Sequence, residues 1–172
     1  MIAKDGFRDF SVLDTTLRDG GHVNNGEFSR EQIDSIQKAL SESFVDIVEV
    51  GQLISTQMPT SSTFVHRAED LIVSDFLVNS KAAFLVRPDW TNVESIAKQT
   101  GRISTVRVAF HRKDYSSVEA YVLALQDKGY SVHLNPIDTP QYSEEELEEL
   151  IRLANNLRVE TVNIVDTYGS LG

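Results

Sequence analysis

One pattern dominates the sequence: short apolar runs rich in Val, Ile and Phe recur along the chain, separated by segments that carry helix-start signals. The six runs are 10–13, 44–50, 82–86, 103–110, 130–134 and 161–165. Runs this short and this apolar are typical of strands that are covered on both faces. Because strands that alternate with helices indicate βα units, the chain is predicted to be an α/β protein with a parallel sheet.

Four of the intervening segments begin with a capping box, in which a Ser or Thr and an acidic or amide side chain three residues later satisfy free amides at a helix start. The boxes begin at Ser29, Thr91, Ser116 and Ser143. Apolar residues follow the first and last boxes at helical spacing, namely Ile33, Ile36 and Leu40, then Leu147, Leu150, Ile151 and Ala154. Gly129 is placed as a helix C-terminal stop. The sequence therefore predicts a helix after each box.

Two architectures fit this order of elements. One is an open doubly wound sheet, and the other is a (β/α)₈ barrel with about six of its eight βα units, since a complete barrel needs about 250 residues and the chain has 172. No Gly-x-Gly-x-x-Gly follows the first run, which weakens a dinucleotide-binding or flavodoxin-like phosphate-binding interpretation. The polar segment 51–63 is predicted to be a loop on the ligand-binding face.

Composition excludes several classes of protein. The net charge is −10 and the sequence pI is about 4.8, so a nucleic-acid backbone would be repelled and no nucleic-acid partner is expected. The chain has no cysteine, which excludes disulfides and thiolate metal sites. No apolar run is long enough to span a membrane, and Met1–Gly6 lacks an apolar signal core. We therefore expect a cytoplasmic protein with no membrane partner.

The stretch 13–22 concentrates residues that could carry chemistry where the first strand ends. Arg18 could stabilise an oxyanion, Asp19 offers hard oxygen ligands for Mg²⁺ or Mn²⁺, and the imidazole of His22 could move a proton. Gly20 and Gly21 are predicted to let the backbone turn tightly and a substrate approach. The alternative is an Arg–Asp ion pair that caps a surface turn.

The same stretch resembles a known family. Asp14-Thr-Thr-Leu-Arg-Asp-Gly-Gly21 is similar to the first-strand signature of the DRE-TIM metallolyases, and the following Gly-His-Val-Asn-Asn is most similar to their 4-hydroxy-2-oxovalerate aldolase branch. The run Val-Glu-Val-Gly at 48–51 and the run Asp-Thr-Tyr-Gly at 166–169 resemble two further family patterns. The resemblance covers the whole chain, taken as a single domain over 1–172, in strand order.

This resemblance implies a partial TIM barrel that forms or cleaves a carbon–carbon bond through the enolate of a 2-oxo acid such as pyruvate. Carried over by position, Arg18 is the enolate-stabilising residue, Asp19 the metal ligand and His22 the proton-transferring group. A divalent metal, Mn²⁺ or Mg²⁺, is expected for the complete family enzyme.

Five further residues are predicted to contact or organise the substrate. Glu49 on the second strand could orient Arg18 or could be a carboxylate at the edge of the core. Strand ends place Arg107, His111, Asn135 and Thr167 at the barrel mouth. A strand-end His, Asn or Thr is more often a loop hydrogen-bonder than a ligand.

The sequence departs from the family at its metal ligands. The family's His-x-His pair belongs to a seventh strand, and no His-x-His occurs in these 172 residues. We therefore expect this chain to hold a metal weakly or not at all.

A partial barrel would leave two open sheet edges, and open edges favour association. The chain is predicted to be part of a longer barrel protein or a homo-oligomer, and its alternative function is that of a binding or assembly module without catalysis.

Overall fold

The computed structural model describes residues 10–170 of the chain. Met1–Gly6, which argued against a secretory signal, lies outside the described residues, as does Gly172. Within residues 10–170, seven strands, all parallel, form one sheet. They are β1 (Leu13–Asp14), β2 (Ile47–Leu53), β3 (Phe64–Val65), β4 (Lys81–Val86), β5 (Ile103–Phe110), β6 (Ser131–Pro136) and β7 (Thr161–Val162).

Helices connect several of these strands. They are α1 (Thr16–Asn24), α2 (Arg30–Glu42), α3 (Tyr115–Asp127) and α4 (Glu144–Leu157). Short 3₁₀ turns occupy Ala68–Asp70, Val93–Ser95, Arg112–Asp114 and Thr139–Gln141. No helix within residues 10–170 is long and apolar enough to cross a membrane.

The strand order decides between the two predicted architectures. Six strands lie side by side in chain order, β1-β2-β4-β5-β6-β7, and the two-residue β3 pairs with β2 off this path. A doubly wound sheet reverses its strand order part-way, whereas the strands of a barrel follow one another in sequence. The sheet is therefore a half-barrel, which confirms the prediction of a partial TIM-barrel fold. Each predicted run overlaps a strand, and 103–110 coincides with β5.

The two faces of the sheet differ in polarity. Successive side chains point to opposite faces of a strand, and on β5 the pattern separates Val106 and Val108 from Arg107. The two valines are fully buried in a core cluster with residues of α3 and α4. The opposite, concave face carries polar side chains that include Arg107, His133 and Asn135. The hydrophobic core thus lies between sheet and helices, and the concave face remains polar.

Two of the four predicted helix starts are confirmed. Ser29 and Ser143 each accept a backbone hydrogen bond from the third helical residue, and Gln32 and Glu146 accept one back from the cap backbone. Gly129, with φ of +91°, follows α3 as predicted.

In α2 the buried Gln37 fixes the loop before β4, because its side chain donates to the Ile72 carbonyl and accepts from the Ser74 amide.

The other two predicted helix starts are wrong. Helix α3 begins at Tyr115, so Ser116 lies inside it rather than at its cap. After Thr91 there is only the 3₁₀ turn, because Asn92 takes the cap position and its side chain accepts the Glu94 amide at 3.0 Å. The expected loop 51–63 also needs correction, since its first three residues extend β2.

The motif at 13–22 does not form the predicted turn. After β1, its residues from Thr16 onward lie in α1, which begins where Asp14 accepts the Thr16 amide at 2.9 Å and ends before Asn25, whose φ is 58°. Gly20 and Gly21 therefore lie inside a helix. A Cβ on Gly21 would stand 2.7 Å from the Phe64 ring, so this glycine admits the Phe64 ring rather than a substrate.

Replacing Gly21 by Ala is expected to lower the free energy of unfolding by about 1–3 kcal/mol, because the new methyl overlaps the Phe64 ring. Gly20→Ala is the matched control. Its Cβ would meet only Phe28, at 3.4 Å, so the higher helix propensity of Ala is expected to stabilise the protein by about 0.5–1 kcal/mol. Urea unfolding of both variants measures the difference. Equal stability of the two variants would contradict this role for Gly21.

Candidate active site

A cavity of about 750 Å³ opens at the carboxyl ends of the strands, on the concave side of the half-barrel. It is bordered by α1 and by the ends of β4, β5 and β6, and the segment 163–167 after β7 closes one side. In barrel folds this end carries the ligand-binding residues, since the loops that follow the strands converge there.

The structure brings the predicted site residues together. Seven of the eight line the cavity: Arg18, Asp19, His22, Arg107, His111, Asn135 and Thr167. The eighth, Glu49, is fully buried in β2 and lies behind the cavity wall. The shared location follows from parallel strands, because residues at their carboxyl ends meet at one edge of the sheet.

Glu49 connects two of the arginines. One carboxylate oxygen accepts from Arg18 Nε at 2.6 Å, and the other accepts from Arg107 Nη1 at 2.8 Å. Arg107 also donates through Nη2 to Asn135 Oδ1 at 2.6 Å. These three hydrogen bonds join α1, β2, β5 and β6 into one network. A buried charge requires such partners, because an isolated carboxylate in the interior is strongly disfavoured.

Asp19 does not complete a metal site with the residues described. One of its oxygens forms an ion pair with Arg18, and the other accepts the Thr15 hydroxyl at 2.5 Å. Within residues 10–170 no group of three His, Asp or Glu side chains is arranged to hold a metal ion. The described donor set therefore does not fit the divalent cation implied by the family resemblance, and the Arg18–Asp19 ion pair that composition alone suggested does form.

The two histidines on the cavity differ in their surroundings. His22 is exposed on the last turn of α1, and its ring centroid lies 5.5 Å from that of Phe64. This contact orients the ring while leaving it open to solvent and ligand. His111 follows β5 directly and occupies the residue before the 3₁₀ turn Arg112–Asp114, without a capping hydrogen bond from its side chain. Both imidazoles can reach molecules that enter the cavity.

Thr167 lines the cavity and also makes a hydrogen bond to the turn after β6. Its hydroxyl accepts the backbone amide of Asp138 at 3.1 Å. Asp138 is in the left-handed region, with φ of 59°, so this bond stabilises the turn after β6. Thr167 therefore links that turn to the segment that follows β7.

Sequence reasoning missed Arg87 and Trp90, which also line the cavity. Arg87 comes directly after β4, and the strand-end rule that found Arg107 and Asn135 applies equally to it. Its guanidinium donates to Asp89 through two hydrogen bonds of 2.7 and 2.9 Å, which lowers the pKa of the Asp89 carboxyl.

His133 is a buried histidine on the concave face, next to Arg107 in the β5–β6 register. Its side chain is 4% exposed, and neither ring nitrogen has a hydrogen-bond partner among the described residues. Burial lowers the pKa of His133 below its ordinary value of 6.5, and the positive charge of Arg107 acts in the same direction. Glu160, 3.8 Å away, opposes this shift.

Comparison with known proteins agrees with this geometry. The sequence model of the HMGL-like family matches residues 9–172. The chain belongs to the HMGL-like family. This confirms the resemblance to the DRE-TIM superfamily and its aldolase branch.

Two named relatives are 31% and 27% identical to this HMGL-like chain over the aligned residues. A 4-hydroxy-2-oxovalerate aldolase of Streptomyces tendae is 31% identical over 94% of this chain and 47% of its own length. A homocitrate synthase of Pyrococcus abyssi is 27% identical over 92% of this chain and 45% of its own. The chain therefore spans about half the length of the relatives it matches.

A solved structure shares the fold. The N-terminal domain of a candidate aldolase from Bacteroides vulgatus superposes with a TM-score of 0.72 at 19% identity, covering 94% of this chain and 56% of that one. At this identity the likeness supports the half-barrel fold alone.

Glu49→Gln is expected to lower the free energy of unfolding by about 3–5 kcal/mol, because two arginines would lose the buried charge between them. The matched control is Glu148→Gln, which removes an exposed carboxylate paired with Arg152 on α4. This control is expected to change stability by less than about 0.5 kcal/mol. Denaturant unfolding at neutral pH gives both values, and similar losses for the two variants would contradict the role of Glu49.

The lowered pKa of His133 predicts a pH-dependent stability. Between the folded pKa and 6.5 the unfolded chain binds more protons than the folded one, so stability rises with pH in that window and levels off above it. His133→Leu is expected to remove this dependence, whereas His66→Gln on the surface retains it. Thermal unfolding between pH 5 and pH 7 tests this, and an unchanged slope in His133→Leu would contradict it.

Proposed function

We propose that this chain supplies one part of an active site that forms or cleaves a carbon–carbon bond through the enolate of a 2-oxo acid such as pyruvate. The observation that carries the proposal is the pair of arginines, Arg18 and Arg107, fixed at the cavity wall by Glu49. An enolate develops negative charge on oxygen, and a cationic donor held in place stabilises that charge more than mobile water does. The aldolases among the relatives support the same reaction class.

The residue roles follow from the donors that remain available. Arg18 donates through Nε to Glu49 and pairs through Nη1 with Asp19, so its Nη2 group can face the enolate oxygen. Arg107 and Asn135 contribute polar groups for the substrate carboxylate. His22, exposed at the end of α1, moves the proton. His111 and Thr167 border the substrate without a bond-making role.

We propose a divalent cation, Mn²⁺ or Mg²⁺, only for the complete enzyme and not for the described residues alone. Asp19 would supply one ligand, and the remaining ligands would come from outside the described residues. None of the roles given to Arg18, Arg107 or His22 depends on that cation.

The open sheet edges favour a second candidate function. Among the described residues, β1 and β7 each pair with a neighbour on one side only, and unpaired strand edges promote association. The chain would then act as a binding or assembly module, for example as a homo-oligomer, without catalysing a reaction.

Exchange of the pyruvate methyl protons for deuterium tests the first candidate. The full chain is incubated with pyruvate in D₂O, with and without Mn²⁺, and deuterium uptake is followed by mass spectrometry. Arg18→Ala is expected to slow exchange by about 10²–10³-fold, as removal of an oxyanion donor does. Arg18→Lys, which keeps the charge, is expected to retain part of the rate.

Arg30→Ala is the matched control, because Arg30 is exposed on α2, pairs with Asp34 there and does not line this cavity. Its exchange rate is expected to equal that of the unmodified chain. Equal rates for Arg18→Ala and Arg30→Ala would overturn the role of Arg18. Exchange no faster than in protein-free buffer, at any Mn²⁺ concentration, would support the second candidate.

A further inference from the structure

Arg87 is a rigidly held cation that the proposed reaction does not use. Its Nε and Nη2 donate to the two carboxylate oxygens of Asp89 at 2.9 and 2.7 Å. The guanidinium also lies over the Trp90 ring, 4.4 Å from the ring centroid. Asp89 and Trp90 thus restrain the guanidinium on one edge and one face. The Nη1 group has no hydrogen-bond partner among the described residues and remains for another acceptor.

The register places Arg87 close to Arg107. Leu85 pairs with Arg107 across β4 and β5, and Arg87 follows two residues later, directly after the end of β4 at Val86. In ideal strand geometry, with strands about 4.8 Å apart and a rise of about 3.3 Å per residue, two positions offset in this way are about 8 Å apart. Both side chains line the same cavity.

Arg107 also retains an unused donor. The residue is 7% exposed, and its Nε has no hydrogen-bond partner among the described residues although Nη1 and Nη2 are both engaged. A buried donor without a partner is disfavoured unless a ligand or water satisfies it. The cavity therefore presents two restrained guanidinium groups, each with a donor still available.

We propose that the cavity selects a 2-oxo acid with a second carboxylate, and that Arg87 is the specificity-determining residue for that distal carboxylate. This inference rests on the proposed function and narrows its substrate class. Arg binds planar carboxylates through directional hydrogen bonds, and a restrained side chain loses little entropy when it does so. A monocarboxylic substrate of equal length would leave Arg87 Nη1 unpaired and would bind less well.

Two ligands of matched length test the proposal: 2-oxoglutarate, which has the distal carboxylate, and 2-oxovalerate, which has a methyl group in its place. Isothermal titration of the full chain is expected to give a Kd about tenfold lower for 2-oxoglutarate, as one charge-assisted hydrogen bond provides. In Arg87→Met, which keeps an apolar chain against Trp90, the two Kd values are expected to become equal. The Kd for 2-oxovalerate should stay within about twofold of the unmodified value.

Arg102→Met is the matched control. Arg102 is exposed, pairs with Asp75 and lies away from this cavity, so the variant should keep the tenfold ratio. Trp90 is the single tryptophan of the sequence, and its fluorescence is expected to change more with 2-oxoglutarate than with 2-oxovalerate. That difference would locate the distal carboxylate beside Arg87.

Each outcome decides the inference. Equal affinity for the two ligands in the unmodified chain, or an unchanged ratio in Arg87→Met, overturns the role of Arg87 and leaves the proposed function standing. Failure of both ligands to bind overturns the inference together with the 2-oxo acid class. If Arg87→Met does not fold, Arg87→Lys replaces it in the test, because lysine keeps the charge but lacks the planar guanidinium that donates directional hydrogen bonds. A ratio in that variant as large as in the unmodified chain also overturns the inference.

Discussion

The buried carboxylate of Glu49 is the interaction on which the site depends. A charge at this depth is tolerated only with partners of opposite sign, and each of its two oxygens accepts from a different arginine. Arg18 comes from α1 and Arg107 from β5, so satisfying one charge also fixes the helix against the sheet. The position of the motif 14–22 is therefore set by electrostatics at its centre and by the Gly21–Phe64 contact at its end.

Patterns that depend on local physics predicted the fold well. Apolar runs located every strand of the main sheet path, because strands buried on both faces leave a continuous apolar signal. Ser29 and Ser143 start helices as predicted, since an amphipathic stretch follows each of them. After Thr91 no such stretch follows, and the neighbouring Asn92 competes for the cap. The two-residue strand β3 was missed because two residues carry no period.

Part of the site could be predicted from the topology of a parallel sheet. Residues at the ends of parallel strands gather at one edge, so Arg107, Asn135 and Thr167 could be placed together without coordinates. Helix α1 could not be predicted, because two consecutive glycines argue against a helix and only the distant Phe64 explains why Gly21 is required. The Glu49–Arg107 bond was equally hidden, since it joins residues 58 positions apart. Arg87 follows a strand as Asn135 and Arg107 mark strand ends, so the same rule could have placed it at the cavity. Only the structure shows that Asp89 and Trp90 hold its guanidinium in place.

The division of polarity between the sheet faces accounts for how one chain can support both a stable core and a polar cavity. The apolar side chains of β4, β5 and β6 pack outward against α3 and α4, so the core does not depend on the concave face being apolar. That face is then available for Arg107, His133 and Asn135, which need hydrogen-bond partners rather than apolar contacts. Some of those partners lie within the sheet, and others, such as an acceptor for Arg107 Nε, do not. Among the described residues, Arg107 Nε and both ring nitrogens of His133 are buried on the concave face without a hydrogen-bond partner, so a polar ligand on this face could satisfy groups that the sheet itself does not.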